Sequence, residues 1–529
     1  MHRSTFLGCA AGIAGLVAAS TPIGAWAQTA ADSTQDIQHE LQALRAQVDA
    51  LQHRLDEQAA AARKAAAPTA QVAPAMPVAV TTPAASAASQ PGVIHYKGLT
   101  ITLGGFAAAE AVYRSHNQGA DIASNFGAIP FNNSAVGHTQ ELRFTERQSR
   151  IAGLVQGDAT PHTHLGFYGE FDFLGAAQTA NSNESNSFNL RVRNLYGSVD
   201  WDTLGLHLLA GQNWSLVTMN THGITPRNEL TPPQIDAQYL PGFAWARQPQ
   251  LRVTKDFDQK LWLALSLENP QTTFYSGANA LPASVHVTYN TAAGSGFNSA
   301  NTLSLNHIPD VVAKVAYEAP VAGRDVHLEA FGLYRSFYER LNYANRNVDG
   351  GGFGFGIVAP LVPGLVDFQV SGLAGRGIGR YGSAQLPDAT FDATGGIRPI
   401  HEVDLLAGVT VHPVPSVDVY LFAGSERESA QSFDWTAPAG NVVAYGYGNP
   451  LYSNAGCAGE TAGGACVGNT RSVEQAMLGF WHRVYVGSFG KFQWGLQYSY
   501  TQRNAFSGVG GAPIGNENMA FASIRYFPF

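Results

Sequence analysis

The stretch LGFYGEFDF, residues 165 to 173, decides the fold. Its odd-numbered positions are apolar or glycine, whereas Glu170 and Asp172 share the other side of the segment. Successive side chains of a β-strand point to opposite faces, so the pattern predicts a strand with one apolar and one polar face. Residues 491 to 501 alternate in the same way. A one-residue slip would move charge onto the apolar face, so the register is well determined.

Segments of this kind recur from residue 98 to the last residue, Phe529. Sixteen candidate strands begin near residues 99, 141, 164, 189, 204, 249, 260, 311, 325, 352, 365, 401, 416, 472, 491 and 518. Long polar connections follow the odd-numbered strands, and short turns such as Trp201-Asp202-Thr203 follow the even-numbered ones. Long loops at one end and short turns at the other are typical of bacterial outer-membrane barrels. The sequence therefore predicts an all-β protein whose residues 98–529 form a 16-stranded antiparallel transmembrane β-barrel.

The composition agrees with strands as the membrane-crossing elements. The chain has 529 residues, of which 13% are charged and 11% are aromatic. No stretch after the first twenty-odd residues is long and apolar enough for a transmembrane helix. Aromatic side chains at this level suit the two interfacial girdles of a membrane barrel.

The first 27 residues have the pattern of a secretory signal peptide. His2 and Arg3 precede an apolar run from Phe6 to Ala19, and Ala25-Trp26-Ala27 offers a cleavage site. We therefore expect a mature chain that begins at Gln28 and is exported to the outer membrane of a Gram-negative bacterium, with its N-terminal segment in the periplasm.

Residues 28–57 are predicted to form a short coiled-coil helix. Apolar residues spaced alternately by four and three give the seam Ile37, Leu41, Leu44, Val48, Leu51 and Leu55. This spacing favours oligomerisation, and the alternative is a single amphipathic helix on another surface. Residues 58–97 are rich in Ala and Pro and predict an extended linker, which could thread peptidoglycan or separate the coil from the barrel.

Two cysteines remain in the mature chain, Cys457 and Cys466, within the stretch GCAGETAGGAC. In an oxidising compartment they are expected to form a disulfide. A metal site would need further Cys or His ligands nearby, which the stretch lacks. We predict no metal site and no cofactor. No nucleophile is paired with a base in the sequence pattern and no phosphate loop is present, so we predict neither an enzyme nor a nucleic-acid-binding protein.

Arginines on the predicted strands are the candidates for solute contact, because the guanidinium fork matches carboxylate or phosphate oxygens. The alternative is that they brace the wall by pairing with Glu146, Glu170, Asp172 and Glu268. The overall charge of −8 does not directly support a path for anions. The third long connection, from Leu216 to Gln248, contains four prolines and an aromatic patch. We expect it to fold into the barrel and narrow it, although it could fold outward as a latch between protomers.

Several segments together resemble the DcaP-like family of outer-membrane porins. They are Arg147-Gln148-Ser149-Arg150, residues 169–173, residues 190–196, Gly211-Gln212-Asn213-Trp214-Ser215, residues 247–252, Glu268-Asn269-Pro270, residues 309–312 and residues 377–381. The resemblance implies homotrimeric channels for dicarboxylates and related small anions, with a coiled coil before each barrel. It also implies a basic substrate path at Arg147, Arg150, Arg191, Arg193, Arg247 and Arg252. From the arginines on the predicted strands we add Arg376 and Arg380 as candidate path residues.

The terminal Phe529 resembles the signal that the barrel assembly machinery reads. Pro528 departs from that pattern, because proline cannot donate a ladder hydrogen bond and predicts a bulge or a frayed tip. We expect contacts with outer-membrane lipid and lipopolysaccharide. The leading hypothesis is a passive channel for small organic anions. The alternatives are a phosphate-type or oligosaccharide-type porin, or a structural tether between envelope layers.

Overall fold

The protein is represented by a computed structural model that describes residues 92–175, 188–275, 306–436, 440–457, 459–461 and 464–529. The predicted signal peptide (1–27), the predicted coiled coil (28–57) with its seam and most of the predicted linker lie outside these residues. Within the described ranges, no helix is long and apolar enough to cross a membrane.

Antiparallel strands make up most of the described chain. In chain order they are β1 (Val93–Tyr96), β2 (Leu99–Arg114), β3 (Glu141–Thr145), β4 (Arg150–Thr160), β5 (Thr163–Asp172), β6 (Arg191–Trp201), β7 (Leu206–Trp214), β8 (Arg247–Phe257), β9 (Leu261–Glu268), β10 (Asp310–Val321), β11 (Arg324–Leu341), β12 (Ala344–Val362), β13 (Val366–Arg376), β14 (Ala389–Phe391), β15 (Ile397–Pro399), β16 (His401–Val414), β17 (Val417–Glu428), β18 (Gln431–Thr436), β19 (Val442–Tyr447), β20 (Thr470–Gly487), β21 (Gly490–Ala505) and β22 (Ile514–Phe527). Short 3₁₀ helices lie at Phe126–Ala128, Val136–His138, Asp202–Leu204, Gly379–Tyr381 and Ala455–Cys457.

The wall is a closed barrel of sixteen antiparallel strands, as the sequence predicts. β3 and β4 together act as one wall strand, because β4 pairs with the first part of β2 and β3 with its last part. β1 pairs with β2 on the side that β22 occupies further along, so β1 extends β22 and does not add a strand. The pairing of β22 with β2 closes the ring. The hairpins β14–β15 and β18–β19 lie in connections outside the wall.

Fifteen of the sixteen predicted strands begin within four residues of the predicted position. The exception is β12, which begins at Ala344 and not near residue 352. The predicted long connection before it is wrong, because a two-residue turn at Asn342 and Tyr343, both with positive φ, joins β11 to β12. Positive φ at both central residues is the geometry of a tight hairpin turn. The sheet also begins at Val93, five residues before the predicted start of the barrel at residue 98.

The faces of the strands follow the predicted alternation. Leu165 and Phe167 on β5 are 46% and 52% exposed, whereas Glu170 and Asp172 are buried. Outward apolar side chains continue around the wall, including Leu251, Leu263, Leu265, Leu267, Val403, Leu405, Leu421, Leu478, Leu496 and Ile524. A continuous exposed apolar belt is what contact with lipid requires, and it puts the polar set inside.

The connection between β17 and β20 carries the predicted disulfide, which is confirmed. Cys457 and Cys466 are bonded, with their Cα atoms 4.8 Å apart, and Cys457 is buried against Phe131 and Ala505. At the other end of the chain, β22 ends at Phe527, one residue before Pro528. This end of the ladder agrees with the missing N–H of the proline.

Candidate constriction site

Loop 3, defined as residues 215–246 between β7 and β8, folds into the barrel. Its backbone forms hydrogen bonds with inward side chains of strands spread around the ring. These wall residues are Glu268 on β9, Lys314 and Glu318 on β10, Glu329 on β11, Glu426 on β17, Trp481 on β20 and Gln497 on β21. The inward arrangement predicted from the sequence is therefore observed, and the loop crosses the lumen.

The far end of loop 3 reaches the wall at Pro241 and Gly242. The Gly242 N–H donates to Glu426 Oε1 at 2.8 Å. Gly242 has a φ of +89°, and a Cβ there would overlap the Leu405 carbonyl oxygen. A Cβ at Gly424 on β17 would likewise overlap the Pro241 carbonyl oxygen. Glycine on both sides lets the two backbones approach this closely.

A β-bulge in β6 turns two consecutive side chains inward. The register between β5 and β6 shifts after Glu170, so that Arg193 and Asn194 both reach its carboxylate. Arg193 Nε donates to Glu170 Oε1 at 2.9 Å, and Asn194 Nδ2 donates to Oε2 at 2.7 Å. Arg150 adds a third contact to Glu170, with 3.2 Å between its Nη1 and Oε1.

Asp172 is the second carboxylate of this region. Arg191 donates to both its oxygens, at 2.9 and 2.7 Å, and Arg193 Nη1 lies 3.0 Å from its Oδ2. The side chains of Arg150 and Arg191 remain 28% and 38% exposed, whereas that of Arg193 is 5% exposed. Arg193 therefore holds the network together, and Arg150 and Arg191 present their charges to solvent.

Arg247, the first residue of β8, completes what we call the arginine cluster, which comprises Arg150, Arg191, Arg193 and Arg247. Its guanidinium lies 5.1 Å from the Trp214 ring and 5.3 Å from the Trp245 ring. Its Nε and Nη1 have no hydrogen-bond partner among the described residues. Four guanidinium groups share two carboxylates, Glu170 and Asp172, so the cluster has an excess of two positive charges.

The pKa of Tyr239, a residue of loop 3, is affected by the positive charges of this cluster. Burial raises the pKa of its hydroxyl, but the positive charges of Arg193, Arg150 and Arg247 and a hydrogen bond from Arg193 together outweigh burial and lower the pKa below its ordinary value. The positive charges around this position therefore favour a negatively charged group there.

Arg147 lies beside the cluster, in the interruption between β3 and β4, and braces two connections. It contacts Asp121 at 2.9 Å, donates to the carbonyl oxygens of Phe173 and Gly175, and stacks on the Phe188 ring at 3.6 Å. These contacts use all three guanidinium nitrogens, so Arg147 acts as a brace between connections.

Three predicted path residues lie elsewhere. Arg252 is 3% exposed, because its guanidinium donates to Gln250 Oε1 at 3.0 Å and to the carbonyl oxygen of Trp214, the last residue of β7. Arg376 lies on the outward face, where its Nε is 2.6 Å from His401 Nε2, because its position in β13 has the outward parity. Arg380 sits in the connection after β13 and braces it, 3.5 Å from Asp310. Assignment of these three arginines to an open path needs correction.

The sequence interpretation missed a group of acids across the lumen. Glu402 and Asp404 on β16 and Glu426 and Glu428 on β17 are all buried, and we call them the four-carboxylate cluster. The signal was present, since HEVDL at residues 401–405 and SERE at residues 425–428 each place two acids on one face. Two cavities of about 540 Å³ each lie between loop 3 and the wall toward the short turns. One is lined by Ser198, Asp200 and Arg227, the other by His222, His327 and His412.

No protein-family model matches the sequence, and no curated protein sequence is similar to it. The structure is similar to that of the outer membrane channel DcaP of Acinetobacter baumannii, with a TM-score of 0.58 and 18% identity over 83% of this chain and 100% of that chain. It also matches an anion-selective porin from Comamonas acidovorans (TM-score 0.44, 11% identity, 81% and 99% of the two chains). A third match is OmpF of Salmonella typhi (TM-score 0.43, 10% identity, 82% and 99%).

The first of these likenesses establishes the fold as that of an outer-membrane channel. The resemblance to DcaP-like porins inferred from the sequence is confirmed at the level of the fold.

Proposed function

We propose that the protein is an outer-membrane porin of a Gram-negative bacterium, through which small organic anions such as dicarboxylates diffuse passively. The main support for this proposal comes from Arg247, whose Nε and Nη1 have no acceptor among the described residues. The partly exposed charges of Arg150 and Arg191 belong to the same arginine cluster. A buried donor without an acceptor costs free energy, and an oxyanion that reaches it recovers that cost.

The geometry suits a solute with two negative ends. One carboxylate would accept from Arg247 while the other contacts Arg150 or Arg191. Each contact is a charge-assisted hydrogen bond, which is stronger where loop 3 and the wall exclude water than in bulk solvent. Because Glu170 and Asp172 already neutralise part of the cluster, the attraction is moderate. Moderate binding suits a channel, which must release what it attracts.

The aromatic residues near the cluster favour anions over sugars as solutes. Trp214 has Arg247 at 5.1 Å and Tyr239 at 5.9 Å, and it is 6% exposed. A sugar-binding path needs exposed ring faces for stacking. The ring of Trp214 is instead used to hold the guanidinium of Arg247.

A phosphate-type porin is the second candidate, because a guanidinium fork also matches phosphate oxygens. The exposed belt would contact lipid and lipopolysaccharide. The predicted coil, residues 28–57, would bring three copies together as a homotrimer, and the linker would leave room for peptidoglycan. Passage requires no chemical step in this proposal.

Current measurements in planar bilayers test the proposal. Under a tenfold KCl gradient, the reversal potential should show preference for chloride over potassium. Succinate should reduce the KCl current at lower concentration than phosphate does, and a neutral maltose-type oligosaccharide should not reduce it. A preference for cations contradicts the proposal. If only the oligosaccharide reduces the current, the protein is better described as an oligosaccharide-type porin. A protein without conductance would favour a structural tether between envelope layers.

A further inference from the structure

The four-carboxylate cluster is built from directly paired residues of two neighbouring strands. Glu402 on β16 lies opposite Glu428 on β17, and Asp404 lies opposite Glu426. All four are at most 3% exposed and share the inward face. Like charges directly opposite one another on a sheet are destabilising, and burial increases their repulsion.

Nothing in the described protein compensates this charge fully. Both carboxylate oxygens of Glu402 and of Asp404 are buried and accept no hydrogen bond from a protein donor. None of the described Lys, Arg or His side chains forms an ion pair with a member of the cluster. A buried carboxylate without a donor or counter-ion costs several kcal/mol by the usual estimate for ion burial, so the cluster is incomplete as it stands.

Glu426 shows how the cluster is closed on the lumen side. Its oxygens accept from the Gly242 N–H of loop 3 at 2.8 Å and from the Ala384 N–H at 2.9 Å. The connection after β13 covers Glu402. It passes so close that a Cβ at Gly379 would lie 3.0 Å from Glu402 Oε2. Two loops thus seal one oxygen-lined site against the wall.

We infer that this site binds one Ca²⁺ ion through Glu402, Asp404 and Glu426, with Glu428 adjacent. One oxygen from each of these three residues lies within 4.8 Å of the others. Calcium takes oxygen ligands at 2.3 to 2.6 Å, so three oxygens within this limit of one another can share one ion. Magnesium retains several waters and is usually held by one or two carboxylates, whereas this sealed site offers at least three, and the donor set contains no nitrogen or sulfur for a softer metal.

The ion would act on the constriction from the wall opposite the arginine cluster. It would neutralise buried acids whose negative charge otherwise acts across the lumen on the anion path, and it would hold Glu426 in place to receive the Gly242 N–H. Calcium binding would therefore fix the far end of loop 3 as well as stabilise the barrel.

Calcium binding to the full-length chain tests this inference. The protein should be refolded in detergent without lipopolysaccharide, whose phosphates bind Ca²⁺, and freed of metal with a chelator. Equilibrium dialysis against ⁴⁵Ca²⁺ should give one bound ion per chain below about 1 mM, within the range of extracellular calcium sites. The midpoint temperature of barrel unfolding should rise with Ca²⁺ and less with equal Mg²⁺.

Asp404→Asn and Glu402→Gln should each lower calcium affinity at least tenfold, whereas Glu460→Gln, in an exposed loop, should bind as the unchanged protein does. If the two variants fail to fold, the wild-type dialysis decides. No binding by the wild type at about 1 mM Ca²⁺ near neutral pH overturns the inference, as does equal binding by the variants. Infrared absorption from protonated carboxyl groups that persists in excess Ca²⁺ would also overturn it, because it shows that protons neutralise the cluster.

Discussion

At the scale of single residues, Arg247 differs from the other members of the arginine cluster, because it forms no ion pair within 4 Å among the described residues and two of its donors lack acceptors there. We predict that Arg247→Gln lowers the anion-to-cation permeability ratio by up to about tenfold. One charge at about 6 Å in a water-like dielectric attracts an anion and repels a cation by ~0.7 kcal/mol each, so the two ions differ by ~1.4 kcal/mol. The loss should be larger at low salt, where screening is weakest. Reversal potentials at two ionic strengths measure it.

Arg376→Gln is the matched control, since it removes the same charge from the outward face. Its reversal potential should equal that of the unchanged channel. An equal loss of selectivity in both variants would mean that overall charge, and not the cluster, sets the preference. Arg252→Gln should instead weaken the end of β7, because the Trp214 carbonyl oxygen loses one of its two side-chain donors and keeps only Gln250.

The relevant arginines could be identified from the sequence. The sequence could not show which of them line the solute path and which stabilise the barrel wall. Parity along a strand predicts facing only while the register is regular, and the bulge at Arg193 adds an inward side chain that parity does not give. Arg252 has the inward parity, yet it is buried and donates to the Trp214 carbonyl oxygen at the end of β7. Such burial depends on contacts between residues far apart in the chain, which no local pattern encodes.

Asp236 in loop 3 supplies a prediction about pH. Burial raises the pKa of its carboxyl to about 6, although Arg114 and the N–H groups of Ser124 and Gln238 act in the opposite direction. The folded state therefore binds the proton more tightly than the unfolded chain, so stability falls as pH rises from about 4 to about 6. Asp236→Asn should remove this penalty and add at most about 3 kcal/mol of stability at pH 7.

The unfolding midpoint in detergent between pH 4 and pH 7 checks this. The variant should show a smaller pH dependence than the unchanged protein. Asp258→Asn, at an exposed turn, should keep the original dependence. A variant less stable than the unchanged protein at pH 7 would show that the ionised carboxylate is needed by its two N–H donors.

At the scale of elements, loop 3 depends on Gly242. Gly242→Ala should displace the loop from β16 and β17, because the new Cβ would overlap the Leu405 carbonyl oxygen and alanine is strained at positive φ. We expect a loss of about 1 to 3 kcal/mol in loop docking and a higher or more variable single-channel conductance.

Gly119→Ala provides the comparison, since Gly119 also has positive φ but a Cβ there meets nothing within 4 Å. It should leave the conductance unchanged. If both substitutions change the current alike, backbone strain and not contact with the wall is responsible, and the proposed anchoring at Gly242 is wrong.

The positions of the strands could be predicted from the sequence wherever one face of the strand is polar and the other is apolar. Strand starts followed from alternation, because lipid on one side and polar groups on the other fix the register. The β11–β12 hairpin extends past the apolar part, through residues 344–349, where ANRNVD reads as loop. There the ladder is supported mainly by polar contacts, such as Arg340 to Asn345, and only Val348 packs on a buried cluster, so the hydrophobic signal is weak.

At the scale of the whole molecule, closure of the barrel does not involve the predicted coil. The strand order is complete from Val93 onward. Deletion of residues 28–91, which retains β1, should therefore leave a barrel that folds and conducts but forms weaker trimers. Crosslinking and single-channel recordings after insertion into liposomes measure the two effects separately. A deleted chain that cannot insert would contradict this expectation.

The seam between β2 and β22 determines the order in which the ring can be assembled. Ser523 and Arg525 on β22 both contact Glu110 on β2, across more than four hundred residues of chain. Contacts between residues this distant in sequence form late in folding. The edge of β2 that pairs with β22 therefore remains unpaired until β22, the last strand, has been added. Meanwhile β1 can fold back at once over residues 99–102 and shield that part of the edge. A chain that ends before β22 keeps two unpaired edges, so completion of the ring distinguishes a finished polypeptide from a truncated one.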